Sequence, residues 1–379
     1  MALVLTEEER MLQDSARAFV SANAPVSALR KLRDTQTATG YEPGLWQQMA
    51  EMGWAGLLIP EDAGGLGFSH VGAGVIAEEC GKTLAASPLF ASGVMAAAVI
   101  REAGSAEQKA ALLPSIADGS RILTVAIDER SRHAPLALTT GAARDGDKWV
   151  LNTCKTMVLD GHVADAIIVV ARSSGVAGDA NGISLFLVDR EQQGVTVQPN
   201  SMVDSRNASD LSLDNVVVGP DALIGTADDC WPALERALDV SRVVLAAEML
   251  GVAGEAFART IEYLKQRKQF DVLIGGFQAL QHRAAELFSD IEMSRSVVLK
   301  ALRALDDSDA DVRAIASVAK AHACKTVTRA ANEAVQMHGG IGMTDEYDIG
   351  FYMKRAVALR HLLGDAYFHA DRYAMISGY

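Results

Sequence analysis

The chain is short of the features that mark several protein classes. It has only four cysteines in 379 residues, Cys80, Cys154, Cys230 and Cys324, far apart and without a CxxC or a Cys/His pairing. That spacing indicates neither a zinc site nor a disulfide framework and fits a reducing cytoplasm. Positive charge is also scarce: 35 basic side chains against 48 acidic ones leave a net charge of −13, which opposes electrostatic binding to nucleic acid. An anionic ligand would need a local basic pocket. No apolar run is long enough to span a bilayer, and MALVLTEEERMLQ lacks the basic and apolar regions of an export signal. It reads instead as a helix start, with Thr6 and Glu9 in capping-box spacing. The expectation is a soluble cytoplasmic protein of two or three domains, without metal, nucleic acid or membrane, whose partner is a small molecule or another acidic protein.

What is present divides into three zones. Residues 1–120 carry apolar side chains at spacings of three and four in LQDSARAFVSA, GLWQQMAEMG, VGAGVIAEECGKTLA and AEQKAALLPSIADG, the period of an α-helical domain. Between them lies IPEDAGGLGFS. Its Gly64, Gly65 and Gly67 follow no strand and precede no Gly-Lys-Ser/Thr, so a structural turn is the better reading than a phosphate loop. Residues 121–229 change period: RILTVAIDE, KWVLNTCKTMVL, DAIIVVARS, GISLFLVDR, VTVQP and LSLDNVVVG are short β-branched runs separated by turns such as RDGD and GDANG. They predict a compact, barrel-like β domain. From 230 to 379 helical periodicity returns in segments of about 231–268, 274–305 and 310–338 with a shorter fourth, which predicts a four-helix bundle. The class is α+β multidomain, and ligands favour the junctions of such domains.

Inside the bundle zone VVLAAEMLGVA poses a question. Glu248 stands in an apolar helical run, where a carboxylate is costly without compensation. It needs either a partner or a task.

Three segments carry a family resemblance: LDVSRVVLAAEMLG (238–251), YLKQRKQFDVLIGGFQALQHRAAEL (263–287) and QMHGGIGMTDEYDIGFYMKRA (336–356). Together they resemble the acyl-CoA dehydrogenase family, which pairs R-x-x-F…F-Q with a later Q-x-x-G-G-x-G. LWQQMAEMGWAGLLIPEDAGGLG resembles that family's N-terminal domain, so the likeness covers nearly the whole chain in order. Glycines let backbone approach a pyrophosphate, and an arginine offers a charge-assisted fork to its oxygens. The resemblance implies FAD held by Arg267, Gln269, Phe270, Ile274, Gln278, Gln336, Gly339 and Gly340 together with a second subunit, hence a homo- or heterotetramer. It implies α,β-desaturation of an acyl-CoA thioester in β-oxidation: a carboxylate takes the α-proton and the β-hydrogen leaves as hydride to the flavin. An electron-transferring flavoprotein would take the electrons. The thioester oxygen would be received by a ribityl hydroxyl and a backbone N–H, here that of Leu363.

The chain departs from the family where the acid belongs. Leu363, in LLGDA, occupies the position of the usual glutamate, and Ser241, immediately before Arg242, occupies the alternative one. Glu248 lies seven positions after Ser241, within roughly 20° on the same helix face, and is the best candidate base; a buried pair with an Arg or Lys is the alternative. Asp365 is the second candidate, at a family position where a threonine contacts FAD. Asp239 and Arg242 match positions near the CoA moiety, with a bundle salt bridge as the other reading of Arg242. In the β domain IDERSRHAP and MVLDG stand where the family has T-E-P-x-x-G-S-D and W-I-T-N-G. Leu159 cannot give the flavin the threonine hydrogen bond, while Val125, Ile127, Asp128 and Met157 are expected in the flavin wall.

Three functions follow: a catalytic acyl-CoA dehydrogenase with a relocated base, a base-less structural subunit completing the FAD site of a different chain, and, less supported, a flavin monooxygenase on the same fold. The GGIGMTDEYDIGFYMKRA and LLGDAYFHADR stretches resemble small subunits of pimeloyl-CoA-type dehydrogenases, which favours an unlike subunit as partner.

Overall fold

The computed structural model describes residues 3–139, 141–307 and 311–379. Contacts gather the chain into two compact units: Met1–Thr35, His70–Ala85 and Arg242–Tyr379 form the first, Gln36–Ser69 and Ala86–Ser241 the second. The helical zone before residue 120 is therefore shared between them.

The first unit opens with α1 (Glu7–Asn23) and α2 (Val26–Thr35). The expected capping box is present, with Thr6 N–H on Glu9 Oε2 at 2.8 Å and Glu9 N–H on Thr6 Oγ1 at 3.2 Å. In the second unit α3 (Pro43–Glu51) leads to the glycine turn. There Gly64 and Gly67 have φ of 81° and 55°, and a Cβ on Gly65 would stand 2.1 Å from Ile59 O. These glycines serve the turn itself, as expected.

The chain returns to the first unit for α4 (His70–Thr83), then to the second for a wide π-type turn at Leu89–Ala96, α5 (Ala97–Ala103) and α6 (Ala106–Ala117). Eight strands follow: β1 (Leu123–Ala126), β2 (Gly141–Asp145), β3 (Lys148–Leu159), β4 (Ala166–Arg172), β5 (Ile183–Asp189), β6 (Val195–Ser201), β7 (Asn207–Val218) and β8 (Leu223–Ile224). Their order is β6-β7-β3-β2-β4-β5-β8, with β1 beside β4. Most pairs are antiparallel, but β4 pairs in parallel with β1 and β2. The AIIVVAR run of β4 is buried throughout, as an apolar strand inside a covered sheet must be. β2 lies outside the runs expected from the sequence, because GAARD is short and largely exposed.

α7 (Trp231–Gln266) is followed by the two-residue strands β9 (Lys268–Gln269) and β10 (Val272–Leu273) and by α8 (Gln278–Asp306), α9 (Val312–His338), α10 (Ile349–His361) and α11 (Ala366–Ile376). α8 begins later than expected because the hairpin and a 3-10 turn at Ile274–Gly276 use the preceding residues. The expected α9 start at 310 lies outside the described residues. The single expected closing helix is two helices, broken at Leu363 and Gly364, whose φ values are 55° and 101°. Within the unit α1 packs on α4, α4 on α8, and α9 on α8, α10 and α11. α4 and α7 cross at glycine contacts: a Cβ on Gly81 would meet Glu248 O at 2.3 Å, and one on Gly251 would meet Glu78 O at 2.0 Å. The turn that bears Glu248 is thus fixed against α4. No helix among the described residues is long and apolar enough to cross a membrane.

Candidate active site

The flavin-assigned bundle residues form an open face of the first unit. β9 and β10 are joined by Phe270 and Asp271, both left-handed with φ of 52° and 65°. A two-residue turn with both residues left-handed matches the twist of a hairpin, and it throws Phe270 out to 85% exposure, edge-on to Phe277 at 6.2 Å. Gln269 pairs with Val272 in that hairpin, and Ile274 N–H bonds to Arg267 O at 2.9 Å. The Arg267 guanidinium is exposed and has no partner among the described residues. Gln278, also exposed, opens the long helix α8 without a side-chain cap, so its first N–H groups are available to an anion.

At the far end of α9, Gln336 is exposed and Gly339 turns the chain at φ 64°, ψ −141°, a conformation essentially reserved for glycine. A Cβ at Gly339 or Gly340 would meet nothing within 4 Å. Gly342 differs: its Cβ would stand 2.9 Å from Val335 O, so its role is packing. Behind these glycines, buried His338 stacks on Tyr263 at 4.4 Å. Its Nδ1 faces Ala334 O at 2.7 Å, and burial pushes its pKa below the usual imidazole value. An unpartnered guanidinium, uncapped helix N–H groups, exposed apolar rings and open glycines fit a dinucleotide with pyrophosphate and ring systems. These residues would hold FAD, which supplies the hydride acceptor when bound.

The β-domain residues sit in the second unit and are braced internally. Val125 and Ile127 are buried. Asp128 accepts from Ala134 N–H at 2.9 Å and faces His133 Nδ1 at 2.8 Å. Buried Lys155 donates to Ile127 O and to Glu129 Oε1, each at 3.0 Å; burial lowers its pKa, and Glu129 opposes that shift. Met157 has φ 56° at a register shift in the β3–β7 pairing between Lys155 and Val158, a bulge of the kind that re-aims side chains. Leu159 O receives the Thr124 hydroxyl at 2.6 Å. The Lys155 brace was not read from the sequence, although a lysine in the alternating KTMVL run is the same kind of signal as Glu248.

The candidate acids are occupied. Glu248 and Arg355 are 6% and 7% exposed, and Arg355 Nε and Nη2 both donate to Glu248 Oε1, at 2.9 and 2.6 Å. The buried pair left open by the sequence reading is present. Three other buried acids of this unit are held in the same way: Glu9 by Arg303, Glu78 by Arg295 and Glu79 by Lys82. Asp365 caps α11, accepting from Tyr367 and Phe368 N–H at 3.0 and 2.9 Å. It lines a cleft of about 830 Å³ with Cys324, Arg360, His361 and Tyr367. Ser241 is buried with its hydroxyl on Ala237 O at 2.9 Å. Asp239 is buried in the second unit, and Arg242, buried in the first, lies 5.7 Å from the Phe368 ring centroid. The N–H of Leu363 has no acceptor among the described residues.

Comparison with known proteins identifies the family. Family models match in order: acyl-CoA dehydrogenase N-terminal domain over residues 6–120, middle domain over 128–216 and C-terminal domain over 228–375. Acyl-CoA dehydrogenase IpdE2 of Mycolicibacterium smegmatis is 30% identical over 95% of this chain and 96% of its own. A variant of the Tcur3481-Tcur3483 steroid ACAD is 34% identical with a TM-score of 0.88 over 98% of both chains. The ChsE4-ChsE5 complex from Mycobacterium tuberculosis is 27% identical with a TM-score of 0.89 over the full length of both. The chain belongs to the acyl-CoA dehydrogenase family, FAD-dependent oxidoreductases that desaturate acyl-CoA thioesters.

Proposed function

We propose that the chain is a subunit of a heteromeric acyl-CoA dehydrogenase that holds FAD and the thioester carbonyl but contributes no base of its own. The observation that carries this reading is the state of every candidate acid. The two usual positions hold Leu363 and Ser241, Asp365 is used as a helix cap, and Glu248 is bound by Arg355. A carboxylate gripped by a buried guanidinium on a helix locked at glycine crossings is poorly placed to take a proton. The carbonyl-binding element persists, since the Leu363 N–H is unpaired among the described residues, and so do the FAD segments. An unlike chain then supplies the proton acceptor, and an electron-transferring flavoprotein removes the electrons. Two neighbours support an unlike chain: one is a ChsE4-ChsE5 complex, and the name of the other joins Tcur3481 with Tcur3483. The words steroid ACAD in the latter support a bulky acyl group.

A second reading keeps Glu248 as the base, released from Arg355 when substrate binds. It is favoured by the helix face that Glu248 shares with Ser241. Purification with and without co-expressed family members separates the two. The subunit reading expects the chain alone to bind acyl-CoA without bleaching its flavin, and to join a bleaching-competent tetramer with an unlike chain. Bleaching by a homotetramer of this chain overturns it.

A further inference from the structure

The corner between α10 and α11 is held more firmly than a connection requires. Leu363 and Gly364 are successive left-handed residues, and strain at a non-glycine residue persists only where the surroundings enforce it. Here they do. Lys320 Nζ, from α9, reaches Gly364 O at 2.9 Å, Leu359 O at 3.3 Å and Cys324 Sγ at 3.3 Å. His369 Nε2, from α11, lies 3.0 Å from Leu363 O; a carbonyl only accepts, so Nε2 carries the proton. Leu362 N–H is tied to Ala358 O at 3.3 Å, and a Cβ on Gly364 would stand 2.3 Å from the Phe368 ring. Amid these bonds the Leu363 N–H is left without an acceptor among the described residues, as are the N–H groups of Gly364 and Asp365. A backbone donor so placed is rarely abandoned.

Lys320 is wholly buried, and its Nζ has no carboxylate among its hydrogen-bond partners in the described residues. Its three contacts are two peptide carbonyls and a thiol. Burial lowers the pKa of this amine and Arg242 adds to that, while Cys324 and Asp365 oppose it; a polar group so buried is expensive as plain packing. Placed behind the corner, it fixes the backbone through the Leu359 and Gly364 carbonyls.

We infer that Lys320 and His369 are positioning residues that aim the Leu363 N–H at the thioester carbonyl. The inference rests on the carbonyl-binding role of Leu363 proposed above. Neither residue touches the reacting atoms.

The test uses the flavin-loaded full chain, Lys320→Met, His369→Leu and the conservative His369→Gln, which keeps a donor. The infrared carbonyl stretch of carbonyl-¹³C octanoyl-CoA is read free and bound, with affinity from calorimetry and amide exchange over residues 359–366. Lys320→Met and His369→Leu should bind within about threefold of wild type yet lose at least about half of the carbonyl shift, with faster exchange at the corner; His369→Gln should recover most of it. Folding is checked by the exchange pattern elsewhere in the chain. An unchanged carbonyl shift in both variants overturns the positioning role while leaving the carbonyl site standing. No carbonyl shift in wild type overturns the carbonyl-binding role of Leu363, and the inference falls with it.

Discussion

Two regions of the first unit treat charge in opposite ways. On the face made by the β9–β10 hairpin and the ends of α8 and α9, the charged and aromatic groups are left open: Arg267 has no partner among the described residues and Phe270 stands in solvent. In the helical interior, Glu9, Glu78, Glu79 and Glu248 each have a basic side chain within ion-pair distance. A lone charge in a sequence does not tell these cases apart. What separates them is whether the fold supplies the counter-charge, because a closed pair is spent on stability and an open group remains available to a ligand.

The sharpest way to break the contrast is to cut one bond of each kind. Arg355→Met takes the guanidinium away from buried Glu248 and should cost about 3–5 kcal/mol in urea unfolding. The double variant Glu248→Leu/Arg355→Met should regain most of that loss. Arg267→Met on the open face should change stability by no more than about 0.5 kcal/mol while weakening flavin retention. Equal stability losses for Arg355→Met and Arg267→Met would remove the distinction.

Next in size is Gly340→Trp. A Cβ there would meet nothing within 4 Å, so the flavin-free protein should keep its thermal midpoint while bound flavin, read by absorbance after desalting, disappears. Full flavin occupancy in this variant would detach the glycine segment from the cofactor.

A smaller effect comes from pH. Burial lowers the pKa of His338 beneath the open glycines, and of His162 and His361, below the ordinary value of 6.5. The unfolded chain takes up these protons first as pH falls, so stability is full above about 6.5 and declines as pH drops through the folded values. Thermal midpoints measured from pH 7.5 to 5 should fall, and His338→Phe should flatten part of the slope. A midpoint that rises over this range contradicts the burial account.

Much of this was legible in the sequence. The switches between helical and strand periods marked the zones because burial on one face imposes them, and Thr6 with Glu9 gave the first helix start from local chemistry alone. The residues proposed to hold flavin could be named because most of them lie in short contiguous motifs. Glu248 was recognised as anomalous, but its answer was not local: Arg355 is 107 residues away. Lys320 and His369 escaped notice for the same reason, since what they grip is a pair of peptide carbonyls on a turn that the sequence does not outline. β2 was missed because a short strand on the exposed side of a sheet has little apolar alternation to reveal it. The sharing of the N-terminal helices between two units depends on α1 and α4 packing near α8, which no local pattern encodes.

The central claim is that Glu248, buried on α7, is structural and that the base belongs to an unlike chain. The most direct measurement is the rate of flavin bleaching by acyl-CoA in the assembled enzyme, wild type against Glu248→Gln, with flavin content matched. The account predicts that Glu248→Gln, once assembled, bleaches at close to the wild-type rate. A fall of about 10²-fold or more with full flavin content, the scale of losing a general base, would make Glu248 the proton acceptor and contradict it.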